Sequence, residues 1–194
     1  MPPTDPDTRP LALFCSARVP ASLVLPIYDV AVALREGGVA VVGGFQSPVE
    51  RECLDILLRG QQPVTVCPTR GVEGMRLPAA WRAALAEGRL FLRSTFGPEV
   101  RRPTKALAER RNAYVVGLAG AVLVPHATPG GATEAAVRAA LAAGLPVATL
   151  DHPANAQLVA MGARSFAAAD PRLIDPATWS IVPRTDAVEG DHEL

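Results

Sequence analysis

Lysine is almost missing from this 194-residue chain: Lys105 is the sole one, and the other eighteen of its nineteen cations are arginines. Aromatic residues make up only 5%, too few for an aromatic-rich β-sandwich core or for a row of base-stacking platforms. Cysteine is scarce, with Cys15, Cys53 and Cys67 showing no CxxC spacing and an odd total. That excludes a disulfide framework or a thiolate zinc site, and the apolar settings of all three predict buried thiols in a reducing compartment. The three histidines, His126, His152 and His192, are scattered without metal spacing, so no metal is expected. Charge of one sign is not in excess either. Nineteen basic residues balance nineteen acidic ones, which argues against the global field of a dedicated duplex binder but leaves room for a local basic patch. No apolar run approaches membrane-spanning length, the longest being residues 114–124. Met1 to Pro10 holds four prolines and no apolar signal region. The expectation is a cytoplasmic protein with no membrane partner.

What is abundant is Ala, Val, Leu and Gly, with 49% of residues hydrophobic and 20% charged. The length suits one domain with a sizeable core. Residues 1–10 read as a lead-in, 11–182 as the domain and 183–194 as a polar tail. Within the domain, short wholly apolar runs alternate with helical patterns. Strands are expected at 11–15, 39–42, 63–67, 90–92, 121–124 and 146–150. Helices are expected at 22–36, from the Ser47-Pro48-Val49-Glu50 start to about 59, and at 78–87, 104–118, 132–143 and 154–161. Strands that are apolar throughout indicate a sheet covered on both faces, and intervening helices indicate parallel pairing. The predicted class is α/β: a Rossmann-like, doubly wound, mostly parallel sheet flanked by helices.

In such sheets ligands collect beyond the carboxyl ends of the strands. Ser16 and Arg18 follow the first strand. Gly43, Gly44, Gln46 and Ser47 follow the second, where Gly43-Gly44 is either a plain tight turn or a place for backbone to approach a ligand. Ser47, Pro48 and Glu50 have the form of a capping box with proline at the first helical position. His126, Thr128, Gly130, Gly131 and Thr133 follow the strand at 121–124. Helices opening at both turns would offer unpaired N–H groups to phosphate. Glu134 is favoured by the dipole of its helix whether or not it reacts. Arg101, Arg102, Lys105, Arg110 and Arg111 form the densest basic cluster, either a solvated face or a set of phosphate-binding forks. Arg110 and Arg111 lie about 100° apart on a helix, so at most one can aim at the sheet edge. The nucleophile-elbow pattern GxSxG is absent.

The block at 110–124, RRNAYVVGLAGAVLV, resembles the RNR-containing block of the DprA/Smf DNA-processing proteins. In the same order, Cys15-Ser16-Ala17-Arg18 resembles their G-S-R signature and Val41-Val42-Gly43-Gly44 their V-V-S-G. Glu50 stands where an aspartate is usual. Gly144-Leu145-Pro146-Val147 and residues 155–163 resemble later motifs. The likeness covers roughly 11–166. Two departures stand out: Cys53-Leu54 replaces a histidine, and Pro129-Gly130-Gly131-Ala132-Thr133-Glu134 replaces an S-G-(S/A)-L-I-T-A turn. The latter is similar to the P-G-G-x-G-T-x-x-E motif of Lonely Guy (lysine-decarboxylase-like) proteins, with one glycine lost. The DprA/Smf resemblance implies single-stranded DNA or nucleotide binding by a homodimer, without a cofactor. Ser16, Arg18, Gly43, Gly44, Gln46, Ser47, Lys105, Arg110, Arg111, Asn112, Gly130, Gly131 and Thr133 would contact phosphate. The alternative implied by the second resemblance is a nucleoside monophosphate phosphoribohydrolase, with Glu134 catalytic.

Overall fold

The computed structural model describes residues 9–100 and 104–167. The lead-in before residue 9, the basic pair Arg101 and Arg102, and the expected polar tail lie outside the described residues. Seven strands, β1 (Leu11–Cys15), β2 (Val41–Gly43), β3 (Val64–Val66), β4 (Leu90–Leu92), β5 (Ala121–His126), β6 (Val147–Leu150) and β7 (Arg164–Phe166), form one sheet in the order β4-β3-β2-β1-β5-β6-β7. Every pairing is parallel. The helices are α1 (Ala21–Glu36), α2 (Pro48–Leu57), α3 (Ala79–Ala86), α4 (Lys105–Leu118), α5 (Ala132–Ala142) and α6 (Ala156–Ala160). This is the expected Rossmann-like architecture.

Two cores flank the sheet, and β1 shows why its strand sequences do not alternate in polarity. Leu11, Leu13 and Cys15 join the cluster under α1, α2 and α3, whereas Ala12 and Phe14 join the cluster under α4, α5 and α6. Both faces are dry, so both sets of alternating positions are apolar. The three cysteines are buried free thiols. Desolvation raises all three above the usual thiol range, Cys67 to about 11, which keeps them protonated and unreactive.

The structure departs from the sequence reading at three edges. β5 runs on through Pro125 to His126, because a register shift against β1 keeps the two strands paired to Cys15 and His126. The final helix opens with a 3-10 turn at Pro153–Asn155. β7 has no strand signature in the sequence: only Phe166 of its three residues is buried, so little apolar pattern marks it.

Winding places a crevice between β1 and β5. From β1 the chain steps outward through β2, β3 and β4. It then returns along α4 to β5, on the other side of β1, and steps outward again through β6 and β7. Connections therefore diverge at the carboxyl ends of β1 and β5, which leaves a crevice there.

Candidate functional site

At that crevice lies an open cleft of about 440 Å³, whose walls include Ser16, Arg18, Gln46, Ser47, Glu50, Arg111, Asn112, Thr128, Gly131 and Thr133. Its floor is organised by a carboxylate. Glu50, 5% exposed, accepts hydrogen bonds from the backbone N–H of Cys15 at 2.9 Å, of Gln46 at 2.8 Å and of Ser47 at 3.0 Å. Ser47 Oγ accepts from Glu50 N–H at 3.2 Å, completing the capping box with Pro48 at the first helical position. The donors of the β2–α2 turn are thus already held by an internal anion. A phosphate approaching that turn would meet a carboxylate in possession of it.

The glycines there serve a different purpose. A Cβ on Gly44 would fall on Nη1 of Arg111. A Cβ on Gly43 would stand 3.0 Å from the Phe45 ring and from Leu13 O. Gly43 admits a phenyl ring and Gly44 admits a guanidinium. Phe45 itself has φ 49°, the one positive φ outside glycine among the described residues. Such a backbone costs on the order of 1–3 kcal/mol and concentrates at functional loops.

Arg111, in the middle of α4, is 6% exposed. Its Nε and Nη1 are buried and have no hydrogen-bond partner. Burial lowers its pKa, while Glu50 and Cys67 act in the opposite sense. Glu50 is close enough to be felt, yet no ion pair joins the two among the described residues. Asn112, also 6% exposed, donates from Nδ2 to Ala132 O at 3.3 Å, tying α4 to the first turn of α5. Its Oδ1 is buried without a partner.

The second glycine turn is partly committed as well. Gly131 N–H donates to Thr128 O, and Gly130 N–H donates to Glu134 Oε2 at 3.2 Å. Glu134, 5% exposed, also pairs with Arg138. The hydrogen bond from Arg138, helped by the one from Gly130, holds its carboxyl below the usual carboxylate range. Beyond these, the first-turn N–H groups of α5 have no acceptor within their own helix. Ser16 Oγ accepts from Thr128 N–H at 2.9 Å, leaving its own proton available to donate.

The predicted basic cluster separates. Arg111 turns into the cleft, whereas Arg110 lies exposed with its Cζ 5.3 Å above the Phe96 ring. Lys105 is exposed at the start of α4, 3.9 Å from Glu109. Gly43, Gly44, Gly130, Lys105, Arg110 and Glu134 are not among the cleft walls; Ser16, Arg18, Gln46, Ser47, Arg111, Asn112, Gly131 and Thr133 are. His126 does not reach the cleft: it is buried, with Nδ1 2.8 Å from Asn155 Oδ1. The sequence reading marked Glu50 as a helix cap and as the acidic position of the family resemblance, but not as the acceptor for the Cys15 and Gln46 backbone. Its grip on Cys15 N–H joins residues 35 apart, and no local pattern carries that. Among the described residues no group of three His, Cys, Asp or Glu could hold a metal ion, and no helix is long and apolar enough to cross a membrane.

No family model and no curated protein matches this chain. Solved structures do. DNA processing protein A (DprA) from Streptococcus pneumoniae superposes with a TM-score of 0.68 at 16% identity, over 82% of this chain and 59% of that one. DNA processing protein A from Helicobacter pylori, described for its single-stranded DNA binding mode, gives 0.66 at 18% identity, over 82% and 76%. A molybdenum cofactor binding protein from Rippkaea orientalis gives 0.60 at 13% identity, over 86% and 93%. The chain spans little more than half of the pneumococcal structure. At these identities the likeness shows a shared Rossmann-like fold.

Proposed function

We propose that the cleft binds the phosphate of a nucleotide, presented by single-stranded DNA or by a free nucleotide. The seat lies between the Arg111 guanidinium and the start of α5, with Arg18, Ser16 and Thr133 around it. The observation that carries this reading is Arg111 itself. A guanidinium with 6% exposure and two unpartnered nitrogens is costly to the fold, and a phosphate matches its fork with charge-assisted hydrogen bonds. The helix terminus opposite adds donors and a positive dipole end. The fold shared with two DprA proteins, one of them described as binding single-stranded DNA, supports the same ligand class. A homodimer in the cytoplasm, working on DNA, belongs to this proposal. Glu134 favours binding over hydrolysis, because Arg138 and Gly130 already occupy its carboxylate.

Labelled single-stranded DNA and adenosine 5′-monophosphate should each be titrated at two salt concentrations. The expected result is binding that weakens with salt and falls by roughly 10–100-fold in Arg111→Ala, the value of one or two charge-assisted hydrogen bonds. Unchanged affinity in Arg111→Ala would reject the seat. Release of adenine, lost in Glu134→Ala, would replace this reading by the hydrolase.

Gly44→Ala offers a separate check. The new methyl takes the space of Nη1, so Arg111 must leave its seat. Affinity should fall as far as in Arg111→Ala, and the double variant should be no weaker than either single one, a coupling seen only when both changes remove the same interaction.

A further inference from the structure

The cleft walls supply donors almost everywhere: a guanidinium, a helix start, serine and threonine hydroxyls. Of the acceptors among them, the Glu50 carboxylate already takes three backbone N–H groups, whereas Asn112 holds a buried oxygen that takes none. Its amide is oriented by Nδ2 donating to Ala132 O at 3.3 Å, which leaves Oδ1 as the acceptor. That oxygen is buried and unpartnered, on a side chain 6% exposed that forms part of the cleft wall. An orphaned buried acceptor beside a phosphate seat calls for a donor on the ligand. A phosphate diester in the interior of a DNA strand brings none near its phosphate: both sugar oxygens are esterified and the 2′ position carries hydrogen. A base N–H lies several bonds further away. In a 5′-nucleotide with free sugar hydroxyls, the ribose O–H groups are the donors nearest the phosphate. The walls also offer no exposed aromatic ring for a base, since Phe14, the one aromatic among them, is 2% exposed. Recognition would therefore fall on the phosphate and its sugar.

We infer that Asn112 selects ligands carrying a free sugar hydroxyl beside the phosphate, so that the cleft takes a ribonucleoside 5′-phosphate in preference to the interior of a DNA strand. This rests on the phosphate seat proposed above. Arg111 supplies attraction to the anion; Asn112 accepts from the hydroxyl and rejects sugars that leave Oδ1 unpaired.

The test compares adenosine 5′-monophosphate with its 2′,3′-dideoxy analogue by calorimetry on the full chain. Base and phosphate are identical and only the hydroxyls differ. Wild type should prefer the ribonucleotide by about tenfold, the value of one hydrogen bond whose loss strands a buried partner. In Asn112→Ala that preference should shrink to nearly one. Equal wild-type affinities would overturn the inference and leave the phosphate seat standing. If neither nucleotide binds, the inference fails, and the single-stranded DNA titration decides whether the seat stands. Should Asn112→Ala not fold, the wild-type ratio decides alone.

Discussion

Replacing Arg111 with methionine is expected to make the protein more stable while abolishing its ligand binding. The guanidinium is almost fully desolvated, two of its nitrogens have no partner, and burial already lowers its pKa. A lowered pKa on a cation means that the folded state resists the charge, so carrying it subtracts from stability. Methionine has comparable length, no polar atom and enough flexibility to fill the space over Gly44. Exchanging even a buried ion pair for apolar side chains of similar volume is often neutral or stabilising by about 1–4 kcal/mol, and Arg111 has no ion-pair partner among the described residues. For a chain of this size, roughly 2 kcal/mol corresponds to about 4–8 °C in Tm. Glu50 would not be orphaned by the change, because its carboxylate keeps three backbone donors. Thermal unfolding and nucleotide titration of the same preparation check both halves. A fall in Tm would show that the guanidinium is compensated in the folded protein, and the case for a ligand built on its unpartnered nitrogens would go with it.

The opposite behaviour is expected at Glu50. Glu50→Ala removes the acceptor for three backbone N–H groups, on Cys15, Gln46 and Ser47, the last of which is the second half of the α2 capping box. Each stranded donor costs about 1–3 kcal/mol. A total of roughly 3–9 kcal/mol is a large share of the 5–15 kcal/mol that typically holds a domain together. Glu50→Gln should fall between the two, since its amide keeps one oxygen but turns an NH₂ toward donors. Denaturant midpoints should therefore order as wild type, Glu50→Gln, Glu50→Ala. A Glu50→Ala loss below about 1 kcal/mol would mean that water reaches the turn and satisfies its donors.

These two buried charges sit within one cleft and differ in what the fold supplies to them. Glu50 is saturated by backbone, so it builds the site. Arg111 is left short of partners, so it is the group from which a ligand can gain. Strain at Phe45, with φ 49° in the loop between them, fits a loop shaped by its surroundings rather than by local preference.

Much of the fold was legible from the residues. Apolar runs with helical spacing between them located six of the seven strands, and serine, proline and glutamate at 47, 48 and 50 marked the start of α2. β7 escaped because a strand with one buried residue carries almost no periodic signal. Of the candidate site, the sequence placed the turns and the Arg111-Asn112 pair at one sheet edge, and the structure brings Arg111, Asn112 and parts of both turns to one cleft. The sequence could not tell Arg110 from Arg111, because both are arginine and only packing decides which side of α4 meets the sheet. Nor could it say what the Gly43-Gly44 turn admits.

By itself, then, the sequence determined the layered α/β architecture, the positions of its turns and caps, and the set of residues near the carboxyl ends of its strands. These follow from local propensity and from hydrophobic period, which act over a few residues. Only the tertiary structure decided that Glu50 holds the first turn's donors, that Gly44 makes way for a guanidinium, and that Arg111 and Asn112, which line one cleft, are left with buried unpaired polar atoms. Those facts depend on which groups from distant segments meet, and on which are excluded from water when they do.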